Sequence, residues 1–182
     1  MLRPRRVFAG ILLCLAAAAA AQTRDELAAQ RALGPHWRKI ARSAGTIFVG
    51  TVLGVENART PGQSVPIIQI RFRVEHPIAG MREAETFTLR EWSGAWSIHR
   101  PMRRGEKLLV FLYAPSRLGL SSPVGGALGQ IPIDPGGQTV TARSEHAQMS
   151  RLETGRTRKA HAATVFTIQQ LERAIRSARA GD

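Results

Sequence analysis

The chain has 182 residues, a formal net charge of +13 at pH 7 and a hydrophobic content of 43%. This length is enough for one domain with its own core, and the single cysteine, Cys14, excludes a disulfide framework. The positive charge suggests an anionic partner, but the arginines are spread through nearly every segment. We therefore favour a solvated basic surface and keep a site for a polyanion as the alternative.

The beginning of the chain has the features of an export signal. Three arginines precede an apolar run over residues 7–18, and Ala19, Ala20 and Ala21 supply the small residues that signal peptidase requires. The run is shorter than the ~20 residues of an ordinary transmembrane helix. We predict a signal peptide over residues 1–21. Either this peptide is cleaved, which gives a periplasmic or secreted protein, or it is retained as a membrane anchor. Cleavage is the preferred prediction, and it would remove the only cysteine.

Residues 22–43 are predicted to form a helical segment that leads into the main domain. Its first part is rich in alanine, with Asp25 and Glu26 near the start, and Gly34 and Pro35 are typical of a helix end.

From residue 44 onward, the pattern changes to one that is typical of β-strands. Ile68, Ile70 and Phe72 alternate with polar residues, which indicates a strand with one buried face, and Pro77 and Gly80 are expected to end it. The apolar run over residues 107–113 predicts a central strand, with Leu109 and Phe111 in the core alongside Ile70 and Phe72. Strands are predicted at residues 46–56, 67–75, 85–92, 107–113, 128–133 and 138–142.

The C-terminal part is predicted to hold a loop and a helix. Residues 143–163 are polar and basic, which favours a loop. Residues 164–182 are predicted to contain an α-helix, because Thr167 followed three positions later by Gln170 forms a capping-box pattern. Apolar residues on one side of this helix would dock on the sheet.

Together these elements predict a mostly β domain: a small antiparallel barrel of five to six strands over residues 44–142, with helices on either side. The segments TIFVGTVLGVE, IRFRVEHPIAG and GEKLLVFLY resemble the oligonucleotide/oligosaccharide-binding (OB) barrel in its netrin-like form, which tissue inhibitors of metalloproteinases share. The REW…W, GE…LVFLY and PVGG…G segments are also similar to those of exported bacterial proteins. The inhibitors chelate zinc through an N-terminal cysteine, whereas the predicted mature chain begins with Gln22, so that mechanism does not carry over.

The glycine-rich segment 121–133, SSPVGGALGQIPI, raises the possibility of a phosphate-binding loop. Such a loop opens a helix, but Pro132 and Pro135 prevent a helix here. The glycines are instead predicted to adopt positive φ and to return the chain to the sheet, with Pro132 on an edge strand.

Catalytic and metal-binding patterns are not found in the sequence. The histidines lack the His-x-x-x-His spacing of a helical metal site, although His146 and His161 leave a transient site open as an alternative. No serine lies in a Gly-x-Ser-x-Gly elbow. We therefore predict no cofactor, no nucleotide and no resident metal.

The segment 90–104 is the strongest candidate for a binding surface. Trp92 and Trp96 lie four residues apart in a chain with only 5% aromatic residues, and tryptophan with arginine is typical of interaction hot spots. The alternative is that both rings fill the ends of the barrel. The candidate binding residues are Arg90, Trp92, Trp96, His99, Arg100, Arg103 and Arg104.

These features predict a monomeric, exported, non-catalytic binding module, with protein binding or an inhibitor-like role as its function and another exported protein as its partner. One alternative is a structural or assembly factor of the cell envelope that binds an anionic polymer. The other is a hydrolase with dispersed catalytic residues, which has the least support from the sequence.

Overall fold

The computed structural model describes residues 24–59, 65–81, 85–96, 100–134, 139–141 and 165–181. The predicted signal peptide, the predicted loop over residues 143–163 and His99 lie outside these ranges. Within them the protein is mostly β, with helices before and after the strands.

Five antiparallel strands form the main sheet, in the order β3-β2-β1-β4-β5. A separate pair, β6 and β7, precedes the last helix. The strand bounds are β1 Thr46–Arg59, β2 Pro66–Ala79, β3 Thr86–Trp92, β4 Lys107–Leu112, β5 Gln130–Pro132, β6 Thr139–Thr141 and β7 Val165–Thr167.

In the described ranges, α-helical segments accompany the strands at residues 24–33 (α1), Trp37–Ser43 (α2), Ser93–Trp96 (α3) and Ile168–Ala180 (α4). The predicted capping box is confirmed at the start of α4. The backbone N–H of Gln170 donates to the Thr167 hydroxyl at 3.2 Å, and the N–H of Thr167 donates to the Gln170 side chain at 3.1 Å.

The sheet is open, so the predicted closed barrel is not what the structure shows. β3 and β5 are its two edges, and the strand predicted at residues 138–142 pairs with β7 instead of joining the sheet. β5 has only three residues and ends in Pro132, which has no N–H to extend a ladder. One backbone hydrogen bond, from Ser121 N–H to the Arg90 carbonyl at 2.8 Å, links the β4–β5 connection to β3.

Two details of the strand predictions are wrong. β1, not β4, is the middle strand, although β4 does have a neighbour on each side. Pro77 does not end β2, which continues to Ala79 and ends directly before Gly80, the other residue predicted to end it. β3 pairs with β2 only from Ile67 to Arg73, so Pro77 lies where β2 has one neighbour and needs no second ladder bond.

The two faces of the sheet bury separate clusters of apolar side chains. Leu109 and Phe111 belong to the cluster that α1, α2 and α4 cover. Ile70 and Phe72 belong to the cluster on the other face, which we call the inner core, together with Phe48, Val52, Ile68, Leu89, Met102, Leu108, Val110 and Leu112. All four predicted core residues are therefore buried, but they divide between two layers.

The glycine-rich connection adopts the backbone predicted for it. Gly125 and Gly126 have φ of 67° and 64°, a region that favours glycine, and a short 3-10 turn over Gly126–Gly129 then leads into β5. β5 lies at the edge of the sheet, as the position of Pro132 predicted.

The helices are joined by contacts between residues far apart in the sequence. Arg173 binds Asp25 through two hydrogen bonds, of 2.7 and 3.2 Å. Nη1 of Arg179 donates to the carbonyls of Ala41 and Ala44, both at 2.6 Å. Within the described ranges, no helix combines the length and the apolar character needed to cross a membrane.

Candidate functional site

The predicted binding segment begins on β3 and continues into the turn before β4. Arg90 and Trp92 are two positions apart on β3 and therefore point to the same face. Their cross-strand neighbours on β2 are Gln69 and Ile67. The short helix α3 follows Trp92 directly, and so brings Trp96 back toward the sheet.

The two tryptophans have different surroundings. Trp92 is 51% exposed, whereas Trp96 is partly buried and packs against the inner core. A Cβ atom added at Gly94 would lie 2.4 Å from Cζ2 and Cη2 of Trp92, so the ring lies close over Gly94. The ring that faces solvent is therefore Trp92, and the ring that contacts the core is Trp96.

The remaining described arginines of the segment lie in the turn before β4. Glu106 organises this turn: its carboxylate accepts from Nη2 of Arg100 and from the backbone N–H of Arg103, each at 2.9 Å. The side chains of Arg103 and Arg104 are exposed. Arg100 is thus held by an ion pair, while Arg103 and Arg104 contribute exposed positive charge.

Arg100 also lines a groove of about 680 Å³ beside the start of β4. The groove carries charges of both signs, and its apolar residues come from β4 and from the end of β5. Its polar side chains are Thr51, Arg73, Glu75, Arg100, Glu106 and Lys107.

Glu75 is the centre of the charge cluster in this groove. Its carboxylate accepts from the Thr51 hydroxyl at 2.7 Å and from the Lys107 ammonium, and Arg73 Nη2 lies 3.9 Å away. Burial by itself would raise the pKa of Glu75, but the hydrogen bonds from Lys107 and Thr51 outweigh it and lower the pKa. Glu75 is therefore a stable anion at neutral pH, which suits an ion pair better than a proton donor.

Two buried polar side chains lie in the sheet near its edges. Glu91 on β3 is 0% exposed and Gln130 on β5 is 4% exposed. Their cross-strand partners, Ile68 and Val110, belong to the inner core, so both side chains face that core. Sequence analysis did not select them, although the alternation of β3 places Glu91 among apolar residues.

The guanidinium of Arg90 is also unusual. The residue is partly buried, and its Nε and Nη2 atoms are shielded from solvent without a hydrogen-bond acceptor in the described part of the chain. Sequence analysis selected Arg90 as a surface charge and gave no sign that its donors are buried.

No family model, curated protein or solved structure matches the chain. Its function therefore has to be inferred from the geometry of the site. The described residues contain no group of three or more His, Cys, Asp or Glu side chains that could hold a metal ion. His146 and His161 lie outside the described residues. What the geometry offers is an exposed ring and a buried guanidinium on one face of β3, and a groove with charges of both signs.

Proposed function

We propose that this chain is an exported, non-catalytic binding module that contacts another exported protein through the end of β3. The observation that carries the proposal is the exposure of Trp92, at 51%, in a chain with 5% aromatic residues. Exposed tryptophan is enriched at the centres of protein interfaces, because its ring buries a large area with little loss of conformational freedom.

The architecture supports the same proposal. The OB fold is a five-stranded, partly open barrel that binds ligands on the face of its second and third strands. An open antiparallel sheet of five strands is compatible with that form, and Trp92 lies on the third strand. We therefore propose an OB-like, netrin-like architecture, with Trp92 on the binding face and Trp96 packed against the inner core.

An anionic envelope polymer is the second candidate for the ligand. Arg71 and Arg73 on β2 have side chains 59% and 62% exposed, and both lie opposite threonines of β3. Binding of a polyanion to such a surface would weaken steeply as the salt concentration rises, whereas binding through a tryptophan anchor would depend on salt only weakly.

Capture of the partner tests the proposal. The protein from residue 22 onward is used as bait in an extract of the producing cell's envelope, and Trp92→Ala is compared with Leu128→Ala, a matched control at a residue that is 49% exposed. We expect Trp92→Ala to lose the captured protein and Leu128→Ala to retain it, with the unfolding free energy of both within about 1 kcal/mol of wild type. Equal capture by the two variants, or capture abolished by moderate salt alone, would contradict protein binding through Trp92.

Export is tested separately by N-terminal sequencing of the protein recovered outside the cytoplasm. We expect the sequence to begin at Gln22, because Ala19–Ala21 end the apolar run. A chain that begins with Met1, or one that carries a lipid on Cys14, would contradict the assignment as a free exported protein.

A further inference from the structure

Arg90 has a pair of donors that point along one edge of its guanidinium. In arginine, the Nε–H and one N–H of Nη2 lie side by side and match the two oxygens of a carboxylate. In Arg90 both nitrogens are buried, and no acceptor in the described part of the protein reaches them. We call this edge the Arg90 fork.

The same edge of another arginine in this protein shows which group fits it. Arg173 donates from Nε to Oδ2 of Asp25 at 2.7 Å and from Nη2 to Oδ1 at 3.2 Å. This is a two-point contact to a carboxylate. The Arg90 fork offers the same two donors, although its guanidinium is the less exposed of the two.

Burial of these donors is unfavourable unless an acceptor is supplied. A guanidinium removed from water loses its hydration, and donors left without acceptors reduce the stability of the fold. The backbone of Arg90 is held in place, since Ser121 N–H donates to the Arg90 carbonyl, and a Cβ atom added at Gly119 would lie 3.5 Å from Nη1. An acceptor from a bound partner would remove this penalty.

The residues around the Arg90 fork indicate which other groups such a partner would present. Trp92, on the same face of β3, is 51% exposed, and Leu118, next to Gly119, is 42% exposed. A ligand group that reaches Arg90 therefore passes exposed apolar side chains. The chemistry that fits is an anionic group with apolar neighbours.

We propose that the Arg90 fork binds a carboxylate of an acidic side chain in the partner protein, flanked by apolar residues that contact Trp92 and Leu118. A carboxylate fits better than a phosphate, because it is planar and carries one charge, whereas a phosphate near neutral pH carries more charge to desolvate. This inference rests on the proposed function and adds to it the chemical group that the partner presents.

The turn Ser116–Leu120 lies beside the guanidinium group of Arg90. Its own hydrogen bonds close it: Ser116 N–H donates to the Leu120 carbonyl and Gly119 N–H to the Ser116 carbonyl, each at 2.8 Å. A Cβ atom at Gly119 would lie 3.5 Å from Nη1, the guanidinium nitrogen outside the fork, so the turn lies beside the same guanidinium group. A group bound at the Arg90 fork would therefore change the environment of the Gly119 amide as well as that of Arg90.

Short peptides test the proposal without knowledge of the partner. The probes are acetyl-Leu-Glu-Leu-amide, the matched neutral peptide with Gln in place of Glu, and the matched peptide with phosphoserine. Binding is followed by NMR through the Nε–Hε signal of Arg90 and the amide signal of Gly119. We expect the Glu peptide to shift both signals saturably, the Gln peptide to shift neither, and the phosphoserine peptide to bind more weakly than the Glu peptide.

Two substitutions complete the test. Arg90→Lys keeps the charge but loses the fork, and we expect affinity for the Glu peptide to fall at least about tenfold, while Arg176→Lys on the exposed side of α4 leaves it unchanged. Arg90→Met removes the buried donors, and we expect its Tm to rise.

Any one of four results would overturn the proposal. These are equal shifts by the Glu and Gln peptides, tighter binding of the phosphoserine peptide, unchanged affinity in Arg90→Lys, and a lower Tm in Arg90→Met. If the Glu peptide leaves Arg90 unshifted while partner capture still depends on Trp92, this inference fails and the proposed function stands. The peptide titration uses wild-type protein, so it remains decisive even if a variant fails to fold.

Discussion

Removal of the Phe48 ring tests whether the inner core stabilises the fold. Phe48 is 0% exposed, and its ring centroid lies 5.2 Å from those of both Phe72 and Phe87. Truncation of a buried Phe to Ala usually costs about 3–5 kcal/mol, and each aromatic pair contributes about 0.5–1.5 kcal/mol of its own. With two pairs lost, we expect Phe48→Ala to reduce the free energy of unfolding by about 4–5 kcal/mol, and Phe48→Leu, which keeps most of the volume, by about 1.5 kcal/mol.

The assay is urea unfolding at equilibrium, followed by tryptophan fluorescence and circular dichroism. Leu53→Ala is the control, because Leu53 lies on the same strand but is 37% exposed, and we expect a change within about 0.5 kcal/mol. A loss below about 2 kcal/mol in Phe48→Ala would refute the described packing. If Phe48→Ala does not fold, the packing of Phe48 is tested by comparing the unfolding free energies of Phe48→Leu and Leu53→Ala.

Two further predictions concern an ion pair and a helix end. The pKa of Glu75 is lowered from its ordinary value of 4.5, so its contribution to stability is present above that value and is lost as the pH falls through the folded-state pKa. When unfolding is measured at a series of falling pH values, Glu75→Gln should therefore lose less stability than wild type. The control Glu56→Gln, at an exposed ion pair, should follow wild type. A Glu75→Gln profile that parallels wild type would contradict the lowered pKa of Glu75. Thr167→Ala should lower the free energy of unfolding by about 1 kcal/mol, because it removes the capping hydroxyl, and Thr167→Ser should restore most of it. Thermal or urea unfolding checks this, and equal stability of the Ala and Ser variants would count against the cap.

Local patterns in the sequence were sufficient to predict individual strands and the C-terminal helix. The alternation of Ile68, Ile70 and Phe72 identified a strand with a buried face, and the pair Thr167 and Gln170 marked the start of α4. Such signals act between residues close in the chain, so they can be recognised without knowledge of the fold. The β-rich character and the C-terminal helix were predicted for that reason.

The arrangement of the strands depends on contacts between residues that are distant in the chain, so local sequence patterns did not predict it. Hydrophobicity indicated that Leu109 and Phe72 are buried, but not that they face opposite layers. Closure of the sheet would require its two edge strands, β3 and β5, to pair with each other, and they do not. In the candidate site, Trp92 and Trp96 look alike in the sequence and differ only because α3 turns the second ring toward the inner core.

The contacts between α4 and the N-terminal helices affect the time at which the protein can fold. Arg173 and Asp25 are 148 positions apart, and Arg42 Nε binds the carbonyl of Ala178 across 136 positions. During synthesis α1 and α2 therefore emerge long before the helix that covers the same apolar cluster, and native contacts of such long range form slowly. The apolar cluster that these helices share therefore cannot be fully covered until the last residues of the chain have been synthesised.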